Sequence, residues 1–193
     1  GLHNVMIART GYTGEDGFEI YVPSDEPTSA RVWSEVLAAG SEFGILACGL
    51  GARNTLRLEA AMALYGHEIS DTINVLEAGL GRYAKFDKGD FVGRDALVKI
   101  QEDGGPKRKL VGLEMIERGI GRDGYPVFAL DGKRLGEITS GSPSPFLKKN
   151  IALAYVPVAN SALDAEVAVE IRGQMVKARI VPTPFYKKPK KST

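Results

Sequence analysis

Six short runs between Leu110 and Val181, each bounded by a turn signal, constrain this chain more than any other feature. They are Leu110 to Met115, Pro126 to Leu130, Lys133 to Thr139, Ile151 to Val156, Glu166 to Arg172 and Met175 to Val181. Asp131-Gly132 predicts a tight hairpin between the second and third, and Gly173-Gln174 joins the last two. In the run from Glu166, the residues Val167, Val169 and Ile171 fall on one side while Glu166 and Glu170 fall on the other. That period of two belongs to a strand with one wet face. Six such strands argue for a small antiparallel β-barrel or jelly roll.

The grammar differs upstream. Glu102-Asp103-Gly104-Gly105-Pro106 is a glycine and proline cluster of the kind that ends a helix and separates domains, so a boundary is expected there, with 1-105 and 106-193 as the two units. The first unit reads as mixed α and β. Strands are expected at about 4 to 9 and 18 to 22, joined by the glycine-rich turn Gly11-Tyr12-Thr13-Gly14-Glu15-Asp16-Gly17. A helix follows with Pro27 in its first turn, Trp33, Val36 and Leu37 on one face and Gly40 at its end. A second helix is predicted from Gly51 to Leu64, with Leu56, Ala60, Ala63 and Leu64 at helical spacing, and a third from Arg94 to Glu102. The fold class is therefore α+β, an α+β region followed by the barrel.

Composition narrows the functional classes. With 44% hydrophobic and 25% charged residues the chain is ordinary globular material. It has no apolar run long enough to span a bilayer, and Gly1-Leu2-His3-Asn4 is not a signal peptide, so a soluble protein without a membrane partner is expected. The absence of an initiator methionine points to an excised fragment or processed product. Cys48, the single cysteine, sits in Ile45-Leu46-Ala47-Cys48 and reads as a buried, reduced thiol. His3 and His67 have no cysteine cluster beside them, so no metal is expected. Charge is divided: residues 1 to 105 carry a net −7 and residues 106 to 193 a net +8. The lysines from Lys187 to Lys191 read as a solvated tail. No aromatic-interleaved basic stripe accompanies them, so nucleic acid is not the expected partner.

Three clusters could carry chemistry. In Arg9 to Ile20 the glycines and the Glu15-Asp16 pair explain a turn, but not Glu19. Phe18, Ile20 and Val22 alternate onto one face of the following strand and leave Glu19 and Tyr21 on the other, which by default faces solvent. If that face lines a cavity instead, Glu19 suits a ligand offering two parallel N–H donors. In Cys48 to Ala60 the Gly49-x-Gly51 step lacks the third glycine of a dinucleotide loop, since Asn54 stands there, and no clear parallel strand follows. Arg53 and Arg57 lie one turn apart, an unfavourable pairing that calls either for carboxylate partners, Glu59 or one on a neighbouring strand, or for an anionic ligand. Thr139 to Asn150 reads as a long loop. Its Ser140, Ser142 and Ser144 have no histidine in the same region to activate them.

Taken in order, these clusters resemble the glycine cleavage system T-protein family, the aminomethyltransferases. The resemblance covers essentially the whole chain: Arg9-Thr10-Gly11-Tyr12-Thr13-Gly14-Glu15-Asp16-Gly17-Phe18-Glu19-Ile20, Leu56-Arg57-Leu58-Glu59-Ala60 to Leu64-Tyr65-Gly66, Phe91-Val92-Gly93-Arg94-Asp95-Ala96-Leu97, and Thr139-Ser140-Gly141 with Ser144-Pro145. It implies a protein about twice this long, with three domains around a central tetrahydrofolate site. This chain would hold the later part of the folate-binding region and the whole C-terminal barrel. By resemblance Glu19 grips the pterin ring, Tyr12 lies close to it and Arg53 belongs to the same site. Lys190 is carried as a tail contact to the ligand's glutamyl carboxylates. Some relatives have a tyrosine where this chain has Met62, so a ring contact from there is missing.

The implied reaction moves an aminomethyl group from the lipoyl arm of a partner H-protein to tetrahydrofolate. Ammonia is released and the carbon bridges two folate nitrogens. The family's assisting aspartate is expected upstream of Gly1, so no catalytic residue is assigned here and the chain alone is expected to lack turnover. Two rivals share the fold: the folate module of a dimethylglycine- or sarcosine-oxidising flavoenzyme, and a folate-binding relative that maintains iron–sulfur enzymes. The latter carries a Lys-Gly-Cys-Tyr-type motif, and Cys48 lies outside any such motif. The expected location is the bacterial cytoplasm, or the mitochondrial matrix for a eukaryotic form.

Overall fold

The structure is a computed structural model that describes residues 5–189. A two-stranded antiparallel ribbon opens it, β1 (Met6–Ala8) against β2 (Glu19–Tyr21), with Ala8 opposite Glu19. Helix α1 (Glu26–Gly40) follows. The Asp25 carboxylate caps it by accepting the Thr28 amide at 2.8 Å, Pro27 occupies its first turn, and Arg31 pairs with Glu35 one turn along. The expected apolar face of α1 is present but uncovered: no residue of the helix is buried, and Trp33 is 56% exposed.

Helix α2 (Leu50–Glu59) stops earlier than its periodicity predicts. Ala61 takes a left-handed conformation (φ 51°), and the Met62 amide bonds back to the Arg57 carbonyl at 2.8 Å. Those bonds satisfy the terminal carbonyls and turn the chain away, so Ala63 and Leu64 are not helical. Helix α3 (Arg94–Glu102) matches its predicted limits.

The remaining strands close into a six-stranded antiparallel barrel: β3 (Arg108–Met115), β4 (Pro126–Phe128), β5 (Arg134–Ser144), β6 (Lys149–Pro157), β7 (Glu166–Ile171) and β8 (Gln174–Val181). Around the barrel the order is β3-β6-β5-β4-β7-β8, with β8 pairing back to β3. Alternate residues fill its interior. Val111, Leu113, Val127, Ile138, Ala152, Ala154, Val156, Val167, Val169, Ala178 and Ile180 form one buried cluster, and Val167 and Val169 point inward as their alternation with Glu166 and Glu170 requires.

Strand β6 departs from period two for a reason visible in its sequence. Ile151 to Val156 is apolar at every position and every one of these residues is buried. Ala152, Ala154 and Val156 face the barrel interior, whereas Ile151 and Leu153 pack outside it against Leu58 of α2, with Phe185 at the edge. A strand covered on both faces needs apolar residues throughout. This second face fastens the helical region to the barrel.

Two expectations are corrected. Residues 139 to 144, expected as loop, extend β5: Ser140 pairs with Leu153, Ser142 with Ile151 and Ser144 with Lys149, after a bulge at Ile138/Ser140. Gly141 is required there, because a Cβ would stand 2.1 Å from the Gly121 carbonyl oxygen. Only residues 145 to 148 form the connection. Cys48, expected buried, is exposed, as is every residue from Ile45 to Gly49, a segment without helix or strand of its own.

Candidate functional site

The elements meet at the C-terminal end of α2. Arg57 is 2% exposed and its guanidinium is fully engaged: Nη1 lies 3.0 Å from the fully buried Glu68 carboxylate, Nη2 donates to Ser140 Oγ at 2.9 Å, and Nε and Nη2 both reach Asn54 Oδ1. Glu68 also accepts the Thr139 hydroxyl at 2.6 Å and the Leu64 amide at 2.9 Å. Thus the partner of Arg57 is neither Glu59 nor a strand carboxylate, as expected from sequence, but Glu68 in the segment after α2. Glu59 instead accepts the Ser144 hydroxyl and the Phe146 amide. Two of the β5 serines, Ser140 and Ser144, which offered no nucleophile, are the pins that hold α2 to the barrel, whereas Ser142 donates to the Pro143 carbonyl.

Arg57 is spent, but Arg53 is not. One turn earlier on α2, its guanidinium lies over the Tyr12 ring at 4.6 Å from the centroid, a cation–π contact. The Tyr12 hydroxyl donates to the Ala63 carbonyl at 2.5 Å. Burial pushes the Tyr12 phenol above its ordinary value of 10.0, opposed by the Arg57 and Arg53 guanidiniums. The turn carrying Tyr12 is seated by Gly14, whose φ of 76° and close approach to Ala60 exclude a side chain: a Cβ would stand 2.8 Å from Ala60 Cβ.

Glu19 lies on β2, opposite Ala8, in the same ribbon. It is half-buried, whereas Phe18 and Ile20 on the alternate face are exposed, the reverse of the default expectation. The Thr10 hydroxyl donates to its Oε2, and Oε1 has no hydrogen-bond partner among the described residues. Glu19 makes no bond to Tyr12 or Arg53. The structure therefore joins two of the predicted residues directly, Tyr12 and Arg53, and sets the third on the hairpin that carries Tyr12. Lys190 lies outside the described residues. The chain before it does return to the turn: Tyr186 donates to Glu15 Oε1 at 2.6 Å, and Lys188 pairs with Asp16 at 2.6 Å.

Sequence reasoning missed Thr10 and Glu68. The only signal for Thr10 was its place two residues beyond Ala8, the residue opposite Glu19. For Glu68 it was a carboxylate in the short segment after an arginine-bearing helix, which nothing in local spacing ties to Arg57. Met62, in the turn after α2, contributes a carbonyl that accepts Arg57 Nη1 at 3.4 Å.

Comparison with known proteins gives the same picture throughout the chain. A family model described as the GCVT N-terminal domain matches residues 1–88, and one described as the glycine cleavage T-protein C-terminal barrel domain matches residues 108–187. Aminomethyltransferases of Acidobacterium capsulatum and Koribacter versatilis are 72% identical over 190 residues and 68% identical over 193 residues. These alignments cover 98% and 100% of this chain but 50% of each relative, so the chain spans about half the length of the curated relatives it matches. The crystal structure of glycine cleavage system aminomethyltransferase T from Bartonella henselae superposes with a TM-score of 0.87 at 35% identity, over 96% of this chain and 51% of that one.

Proposed function

The chain belongs to the glycine cleavage T-protein family, and from that premise we propose that it is the folate-gripping and barrel part of a tetrahydrofolate-dependent aminomethyltransferase. The observation that carries this reading is the half-buried Glu19 carboxylate, one oxygen of which has no hydrogen-bond partner among the described residues, on the ribbon whose turn holds the Tyr12–Arg53 pair. Tetrahydrofolate is a substrate with an N–H-rich pterin at one end and glutamyl carboxylates at the other. Glu19 fits the first, accepting the exocyclic amine and the neighbouring ring N–H in parallel. Tyr12 offers a ring face beside it. Arg53, whose guanidinium has no carboxylate partner among the described residues, suits an anionic part of the same ligand.

The folate nitrogen is itself the nucleophile toward the aminomethyl carbon carried by the lipoyl arm of H-protein. As that carbon–sulfur bond breaks and ammonia leaves, the carbon becomes the bridge between two folate nitrogens. These residues contribute by orientation, which can be worth on the order of 7–11 kcal/mol in favourable cases. Proton handling at the reacting nitrogen is assigned to an aspartate in the half of the relatives that this chain does not match. The apolar residues exposed on the first region, Ile7, Trp33, Phe43, Leu46 and Leu50 among them, support a reading in which further chain covers that side. The same reading divides the chain near Gly105–Pro106, between the end of α3 and the start of β3. It places the protein in the bacterial cytoplasm, in keeping with its bacterial relatives; among the described residues no helix is long and apolar enough to cross a membrane.

Calorimetric titration with a stable reduced folate tests the proposal. Saturable binding is expected, weakened by about 1.5–3 kcal/mol in Glu19→Gln, the range for a hydrogen bond to a charged group. Binding unaffected by Glu19→Gln, in this chain and in a protein of the relatives' full length, would overturn the assigned grip.

A further inference from the structure

The basic half of the chain contains a cleft that the folate site does not use. Its walls are the segment Arg118 to Tyr125 between β3 and β4, Asn150 at the start of β6, and Ile171-Arg172 at the turn from β7 to β8, and they enclose about 470 Å³. The walls are tied together. Asn150 Nδ2 donates to the Gly119 carbonyl at 2.7 Å, and Gly119 approaches β7 so closely that a Cβ would meet Ile171 Cδ1 at 2.8 Å. Arg172 stands in a left-handed turn conformation (φ 52°), which fixes its departure from the strand.

What distinguishes this cleft is which arginines it contains. The chain has twelve arginines. Nine of them have a carboxylate or an aromatic ring against the guanidinium: Arg31, Arg57, Arg94, Arg108, Arg134 and Arg179 by ion pairs, Arg9, Arg53 and Arg82 by ring contacts. Among the described residues, the three with neither are Arg118, Arg122 and Arg172, and all three line the same cleft. Arg122 makes one bond, to the Gly141 carbonyl at 3.3 Å. No carboxylate is among the lining residues, and the neighbouring Asp123 points to His67, 3.6 Å from its Nδ1. Gathering three guanidinium charges, on exposed residues, around one concavity with no carboxylate in its lining is unfavourable for the empty protein. The planar fork of each guanidinium is matched to carboxylate or phosphate oxygens.

We propose that this cleft is a binding site for a small polyanion bearing phosphate or carboxylate groups, with Arg118, Arg122 and Arg172 as its ligating residues and the Tyr125 side as its less polar wall. The site is separate from the Tyr12–Arg53 pair, which sits on α2 and the ribbon, and it does not depend on the folate assignment.

The test is calorimetric titration of the chain at low ionic strength with two probes, pyrophosphate and tricarballylate. Variants are Arg118→Gln/Arg172→Gln, which removes two guanidiniums that hold no protein group, and Arg134→Gln as a charge control outside the cleft. Saturable binding of either probe is expected, weaker by roughly tenfold or more in the double variant, nearly unchanged in the control, with all three proteins melting alike. Tighter binding of pyrophosphate would identify a phosphorylated ligand, and tighter binding of tricarballylate a polycarboxylate. No saturable binding of either probe, or an equal loss in the double variant and the control, would overturn the site.

Discussion

Replacing Arg57 with methionine tests whether the buried ion pair, rather than apolar contact alone, holds the helical region on the barrel. Methionine matches the arginine side chain as far as Nε and so keeps its apolar stem, and what is lost is the guanidinium beyond it. That group now satisfies Glu68, Ser140 and Asn54 at once, at 2.7 to 3.0 Å. Removing one partner of a buried pair costs about 3–5 kcal/mol because the other charge is left uncompensated. Glu68 would keep the Thr139 hydroxyl and the Leu64 amide, so the lower end, about 3 kcal/mol, is expected. The loss should be local. The barrel interior does not include Arg57, so α2 should loosen first. Hydrogen–deuterium exchange followed by mass spectrometry would read this: amides of residues 50 to 59 should exchange roughly a hundredfold faster, with β7 and β8 unchanged. Urea unfolding of Arg57→Met, Glu68→Gln and the double variant completes a cycle in which the double costs less than the two singles together. A loss below about 1 kcal/mol in Arg57→Met, or simple additivity, would refute the assignment of α2 anchoring to this pair.

Gly14→Ala should cost about 1–2 kcal/mol for the left-handed backbone alone, with the Ala60 clash adding to it, and should weaken folate binding by displacing Tyr12; thermal denaturation and the folate titration measure both. Stability should fall at alkaline pH through Tyr155. Its hydroxyl donates to the Glu68 carbonyl at 2.7 Å, and burial raises its pKa well above 10.0 against the opposing pull of Arg108. Because the folded value is the higher one, the contribution is fully present below pH 10. It is lost as pH rises from there toward the folded value, where the unfolded chain ionises first. Urea midpoints between pH 9 and 11 should therefore fall less steeply for Tyr155→Phe than for the unsubstituted chain.

How much of this was legible beforehand follows from the range over which each feature is decided. Strand period, the Asp131-Gly132 and Gly173-Gln174 turns, the Pro27 helix start and the unbroken apolar run of β6 are local, because backbone geometry and one-sided burial impose them residue by residue. The sequence by itself therefore determined the α+β order and the barrel. Its motifs also carried the family resemblance, including the Tyr12, Glu19 and Arg53 set. It did not determine where α2 ends, since Ala61 and Met62 are as compatible with helix as with the turn that the returning chain imposes. Nor did it show that Ser140, Ser142 and Ser144 belong to a strand, because their composition is that of a loop until β6 pairs with them. The choice of Glu68 over Glu59 for Arg57, the stacking of Arg53 on Tyr12, and the convergence of Arg118, Arg122 and Arg172 were decided only by the tertiary structure. A charge finds its partner through space, and closure of the barrel brings together residues that local spacing keeps apart.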